Sequence, residues 1–192
     1  IARNNDDTGI SISAKDKNRF FWPAHNLVLN SDSYNNLDLS GINADGFAAK
    51  LGVGPGNIFR GCIAHNNADD GWDLFNKIED GPNASVTIEN SVAYENGLPY
   101  NKADILKGSI GNGFKLGGEG QPVNHKVINS IAINNNMDGF TDNFNTGSLI
   151  VRNNIAMNNA RYNYILRTNP YKFPSSILFD NNYSIRDDWE NK

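Results

Sequence analysis

Two short stretches of the chain concentrate carboxylates: Asn43-Ala44-Asp45-Gly46-Phe47 and Ala68-Asp69-Asp70-Gly71-Trp72-Asp73. Aligned on their Gly-aromatic corners, they fall in successive turns of a repeat, so that Asp45 stacks beside Asp70, with Asp69 and Asp73 close by. Carboxylates packed this tightly repel one another unless a cation sits among them. Neither stretch contains a Lys or Arg; Lys50 follows the first. A hard divalent ion answers the repulsion, and ligands that are all oxygen, with no His or Cys, point to calcium over zinc. The spacing of an EF-hand loop and its closing Glu are absent. A lone Asp-Gly is more simply a corner cap in solvent, but four stacked carboxylates favour a metal site at Asp45, Asp69, Asp70 and Asp73.

After each corner the aromatic residue is expected to point inward, and the residue following it outward. That outward column reads Ala48, Asp73, Lys115 and Thr141. Lys115, within Gly111-Asn112-Gly113-Phe114-Lys115-Leu116-Gly117-Gly118, then lies one turn from Asp73, and the flanking glycines leave the backbone open to a bulky ligand. One reading of Lys115 is an ion pair with Asp73. The other is a general base, because a neighbouring divalent cation and partial burial both push a lysine towards its neutral form.

The elements that place these residues are betrayed by an internal repeat. Branched or aromatic residues, then Asn-Ser or a variant, then Ala, then Asn recur at Leu29-Asn30-Ser31, Phe59 to Ala64, Ile88 to Ala93, Val127 to Ala132, Val151 to Ala156, and Phe179 to Asn182. The interval is about 24 to 31 residues, with one of about 39 where a loop from roughly Gly97 to Gly111 is inserted. A short helix over Ala103 to Lys107 fits in that loop. Asp45-Gly46-Phe47, Asp70-Gly71-Trp72, Asn112-Gly113-Phe114 and Asp138-Gly139-Phe140 introduce a further strand after most repeats. Short strands at such an interval, without helical periodicity, predict an all-β solenoid: a parallel β-helix whose coils stack at strand spacing. Corner residues Asn90, Asn129, Asn153 and Asn181 then form Asn ladders from coil to coil.

Composition sets limits on the partners. The 192 residues suffice for one domain with a sizeable core, and 39% are hydrophobic. A net charge of −4 without a basic tract argues against nucleic acid. No apolar run is long enough to span a bilayer. Cys62 is the single cysteine, so a disulfide framework within the chain is excluded. His25, His65 and His125 read as surface or corner residues.

These motifs together resemble polysaccharide lyase family 9, the calcium-dependent pectate lyases. The likeness rests on Asn-Ala-Asp-Gly-Phe at 43 to 47, Asp-Asp-Gly-Trp-Asp at 69 to 73, Gly-Asn-Gly-Phe-Lys-Leu-Gly-Gly at 111 to 118 and Asp-Gly-Phe at 138 to 140, and it runs from about Thr8 to Ile185. It implies a right-handed parallel β-helix, a calcium held by Asp45, Asp69, Asp70 and Asp73, and Lys115 as catalytic base. The implied reaction is β-elimination on a pectic uronic-acid polymer; the bulk of that polymer points to a secreted or cell-surface protein, and a monomer is expected. Arg167, on the same outward face two coils beyond Lys115, and Lys50, in the coil on the other side, are candidates for neighbouring sugar carboxylates, with a solvated side chain as the alternative for each. Family members usually carry more coils and an N-terminal cap, so the expectation is one domain over 1–192 that is a fragment lacking that cap and the outer coils. Two rival readings remain: a β-helix glycoside hydrolase using clustered aspartates, and a non-catalytic carbohydrate-binding or adhesin solenoid.

Overall fold

The computed structural model describes residues 1–98, 109–167 and 176–187; the expected helix at Ala103 to Lys107 lies outside them. The chain winds as a parallel β-helix of three sheets, and every strand pairing is parallel. The first sheet holds Ile10–Ile12, Phe47–Ala49, Trp72–Asp73, Phe114–Lys115, Phe140–Thr141 and Tyr164–Ile165. The second has seven strands, among them Asp32–Tyr34, Ile63–His65, Val92–Tyr94, Ile131–Ile133 and Ile155–Met157. The third runs from Leu27–Leu29 to Leu178–Asp180. Among the described residues the only helical element is a 3₁₀ turn, Arg19–Phe21, whose N-terminal cap Asn18 accepts from Phe20 N. No described helix is long and apolar enough to cross a membrane.

The aromatic of each corner does point inward. Phe47, Trp72, Phe114 and Phe140 are fully buried and stack at centroid spacings of 4.8, 4.8 and 4.7 Å, with Tyr164 continuing the column at 5.0 Å. Those spacings are the strand separation itself. Burial of each ring contributes about 1.5–3 kcal/mol, so this column both stabilises the coil and locks its register. The corner glycines have a steric cause: a Cβ on Gly46, Gly71, Gly113 or Gly139 would stand 2.6 to 2.8 Å from a carbonyl oxygen of the next coil.

The Asn content is used in two ways. Asn30, Asn90, Asn129, Asn153 and Asn181 take left-handed backbone, φ 47 to 56, which Asn tolerates better than most residues. Asn153 donates to Asn129 and Asn181 to Asn153, so part of the expected outer ladder exists. The principal ladder is elsewhere. Asn36, Asn67, Asn96, Asn135 and Asn159 are buried and bond Nδ2 to Oδ1 at 2.7, 2.9, 3.0 and 2.8 Å, ending on Asn163. Each Oδ1 from Asn67 to Asn159 also accepts the backbone N–H of the Asn one coil before. The second Nδ2 proton of each of these goes to a carbonyl of Ser33, Ala64, Ala93 or Ala132. Every donor and acceptor of these amides is therefore used, which is what burial of an amide demands.

His125 corrects the expectation of a surface or corner residue. It is fully buried, its Nδ1 accepts from Val86 N at 3.1 Å, and burial pushes its pKa down to about 3.

Candidate active site

The outward face of the first sheet carries the carboxylates. Its register pairs Ala48 with Asp73, Asp73 with Lys115, and Lys115 with Thr141, the column that the corner motifs predict. Asp45 and Asp70 sit on the corners preceding this column, Asp70 N donating to Asp45 Oδ1 at 3.2 Å. All four aspartates are buried, with relative exposure of 0 to 3%. Asp45, Asp70 and Asp73 each offer an oxygen to one point, those oxygens lying within 4.8 Å of one another. Asp69 stands beside this triad rather than inside that spacing.

Two ammonium groups face the acids. Lys50 Nζ donates to Asp45 Oδ2 at 2.7 Å and to Asp73 Oδ2 at 2.8 Å. Lys115 Nζ lies 3.1 Å from Asp70 Oδ2 and 3.3 Å from Asp73 Oδ1, and 5.4 Å from the centroid of the Phe75 ring. Lys50 is thus placed between two candidate ligands and not out towards a neighbouring subsite. Asn112 holds Asp70 from behind: its backbone N and Nδ2 both donate to Asp70 Oδ1, at 2.8 and 2.7 Å. Thr8 Oγ1 donates to Asp45 Oδ2 at 3.2 Å. Asn112, Thr8 and Phe75 were not anticipated. For Asn112 the sequence held a clue, since it takes the corner position that Asp fills in three other coils.

Electrostatics leave the cluster incomplete. Burial, then the charge of Asp73, pushes Asp45 well above the ordinary carboxylate range. Burial and Asp70 push Asp69 up to about 8. Asp70 is raised by burial, with Lys115 opposing. Asp73 alone ends below its ordinary value, because Lys115 and Lys50 outweigh its burial. Were all four carboxylates ionised, the two ammonium groups would leave two negative charges in excess; burial and that mutual repulsion push Asp45 and Asp69 towards their protonated forms. Among the described residues, buried Asp69 Oδ1 has no hydrogen bond, and buried Asp70 Oδ2 has only the Lys115 ammonium beside it. A partnerless buried oxygen and carboxyls raised by burial and mutual repulsion are what a hard divalent ion answers, so the donor set fits such an ion.

From the protein groups alone, burial pushes Lys115 towards neutrality, while Asp70 and Asp73, followed by Asp69 and Asp45, push harder the other way. The neutral lysine is expected of an ion-loaded cluster, where those same carboxylates are engaged by the cation. The glycines around Lys115 are not open ground. A Cβ on Gly118 would meet the Phe75 ring at 2.2 Å, and one on Gly117, φ +140, would meet Asn145 at 2.6 Å. They serve close packing beneath the lysine.

The comparisons now bear on this geometry. Residues 1–182 match the Pel9A-like right-handed β-helix region. The chain belongs to that family. It is 53% identical over 188 residues to the pectate disaccharide-lyase of Dickeya chrysanthemi, which covers 97% of this chain and 23% of that protein. It is 50% identical over 167 residues to pectate lyase L of Thermoclostridium stercorarium, covering 84% of this chain and 13% of that protein. The crystal structure of pectate lyase Pel9A superposes with a TM-score of 0.72 at 34% identity, over 94% of this chain and 45% of that one. A rhamnogalacturonan lyase does so with a TM-score of 0.61 at 35% identity, over 70% and 35%. The chain therefore spans about a quarter or less of the first two relatives and under half of the solved structures. The right-handed coil and the family resemblance expected from the motifs are borne out.

Proposed function

We propose that the chain is the catalytic β-helix of a calcium-assisted polysaccharide lyase acting on pectate, the polygalacturonate backbone of plant cell-wall pectin. The observation that carries this reading is the juxtaposition of a buried acidic triad with the Lys115 amine, 3.1 to 3.3 Å from Asp70 and Asp73, on one outward sheet face. The names of the relatives, pectate lyases and a pectate disaccharide-lyase, supply the substrate class. A polymer of that bulk places the reaction outside the cell.

Asp45, Asp69, Asp70 and Asp73 would hold the ion. Calcium bound there supplies positive charge that offsets the aspartates and stabilises the enolate-like carboxylate formed when a uronate loses its C5 proton. Lys115, as the neutral amine, takes the C5 proton onto Nζ. The electron pair of the broken C5–H bond forms the C4–C5 double bond, and the C4–O bond to the next sugar breaks. The departing oxygen takes a proton from water. Asn112 and the Phe75 ring position the pieces, the first by holding Asp70 and the second by supporting the lysine.

Only elimination makes a conjugated unsaturated product, so ultraviolet absorbance during digestion of polygalacturonate tests the reading. Absorbance should rise with calcium and fail to rise in strong chelator or in Lys115→Ala. Saturated products indifferent to chelator would indicate a glycoside hydrolase, and binding without turnover a non-catalytic solenoid.

A further inference from the structure

One rung beyond Lys115, the same outward face carries another cation with different surroundings. Thr141 is in register with Lys115, and its hydroxyl oxygen accepts a 2.7 Å hydrogen bond from Arg167 Nη1. The Arg167 backbone follows Tyr164–Ile165, a rung further on, so the guanidinium is drawn back towards the lysine. Buried Asp138 and Asp142 lie behind it, with Asp138 Oδ2 3.4 Å from Nη2 and Asp142 Oδ1 3.6 Å from Nη1. Asp138 has its own bidentate partner in Arg161, at 2.8 and 2.5 Å, so its charge is balanced without Arg167. The hydrogen bonds to Thr141 and Asp138 engage only part of the five-donor fork.

Phe144 completes the arrangement. Its side is open, with the residue 59% exposed, and the Arg167 guanidinium carbon is 5.0 Å from the ring centroid. Phe144 has φ 63, directly after Asn143 at φ 45. A left-handed backbone is costly for an aromatic and persists only where the surroundings over-determine it. Here they do: Thr141 Oγ1 accepts from Asn143 N at 3.1 Å, and Asp142 Oδ1 from Phe144 N at 3.2 Å. The two residues that anchor the guanidinium thus also hold the strained turn. A pinned guanidinium is a planar donor for a carboxylate, and an exposed ring offers a flat apolar face. A uronate presents both a carboxylate and an apolar ring face. Lys50, on the other side, is held at 2.7 and 2.8 Å by Asp45 and Asp73, closer than the 3.4 and 3.6 Å between Arg167 and its carboxylates.

We infer that Arg167 and Phe144 form a second uronate subsite, taking the carboxylate and ring face of a sugar adjacent to the one Lys115 deprotonates. The inference rests on the lyase reading for the identity of that ligand. Its test is calorimetric binding of a saturated oligogalacturonate, and of its methyl ester, to the calcium-loaded chain carrying Lys115→Ala so that nothing is cleaved. Adding Arg167→Gln should weaken oligogalacturonate binding about tenfold or more, the scale of a charge-assisted hydrogen bond, and leave the methyl ester unaffected. Adding Phe144→Ala should weaken both ligands. Because that ring is largely in solvent, the second variant carries the test if Arg167→Gln fails to fold. Unchanged affinity in the folded variants, an equal loss on the methyl ester in Arg167→Gln, or no measurable oligogalacturonate binding at all would overturn the subsite. Absence of turnover by the unmodified chain on any uronide polymer would refute the lyase reading while leaving these ratios standing.

Discussion

Two buried polar columns run along this solenoid, and they are built to opposite standards. In the Asn ladder from Asn36 to Asn159, both amide protons and both acceptor directions are occupied in coil after coil. In the aspartate cluster, equally buried, carboxyls are pushed far from their ordinary pKa and, among the described residues, Asp69 Oδ1 lacks a hydrogen bond. The ladder stabilises the fold by satisfaction. The cluster costs stability, and a fold keeps such a cost where a ligand removes it. Burial of polar groups alone does not mark a site; unmet valence within the burial does.

The sharpest way to break this contrast is at Lys115. Lys115→Ala should cut the rate of unsaturated product formation by about a thousandfold or more, as removal of a general base does, with the β-helix retaining its circular dichroism. A ladder substitution should do the reverse. Asn135→Ala removes a side chain bonded to Asn96, Asn159 and Ala93 and strands their partners, so denaturant unfolding should show a loss of about 3 kcal/mol. Full stability in that variant would end the claim that the ladder holds the coil.

The acidic cluster predicts a pH dependence of its own in chelator. Asp69, raised to about 8, binds its proton more tightly folded than unfolded, so stability falls as pH rises from about 4 to 8. His125, lowered to about 3, acts oppositely: the unfolded chain takes up the proton first, so stability is lost as pH falls below about 6.5. Between about 6.5 and 8 only the Asp69 effect of these two remains. Thermal unfolding in chelator should shift downwards across that window. Asp69→Asn should flatten the slope and raise stability at the alkaline end by on the order of 2 kcal/mol, whereas calcium should flatten it without mutation. A smaller effect is expected at Phe75: Phe75→Leu keeps an apolar support but loses the ring face under Lys115, and should lower kcat about threefold, the scale of an exposed cation–π contact.

Much of this architecture was legible in the residues. The Asp-Gly-aromatic corners set the rungs, because an inward ring and an outward neighbour alternate by necessity on a strand, and so they place Asp73, Lys115 and Thr141 in one column. Of the expected corner ladder, Asn129, Asn153 and Asn181 bond from coil to coil while also serving left-handed corners; a second, buried ladder lies elsewhere. Its signal was present as an Asn three residues after each small inward residue, at Ala64, Ala93, Ala132 and Ala156. For Lys50, strand alternation does not reveal that the side chain folds back onto Asp45 of its own coil and Asp73 of the next. His125 is buried against Val86, 39 residues away along the chain, a contact that local spacing does not show.

The most direct test of the account is a calorimetric titration of calcium into the chelator-treated chain. A single saturating binding event accompanied by a rise in Tm, both lost in Asp70→Asn and Asp73→Asn, is the predicted result. No saturable heat and no change in Tm in the unmodified chain would contradict the claim that the aspartate cluster is completed by a divalent ion.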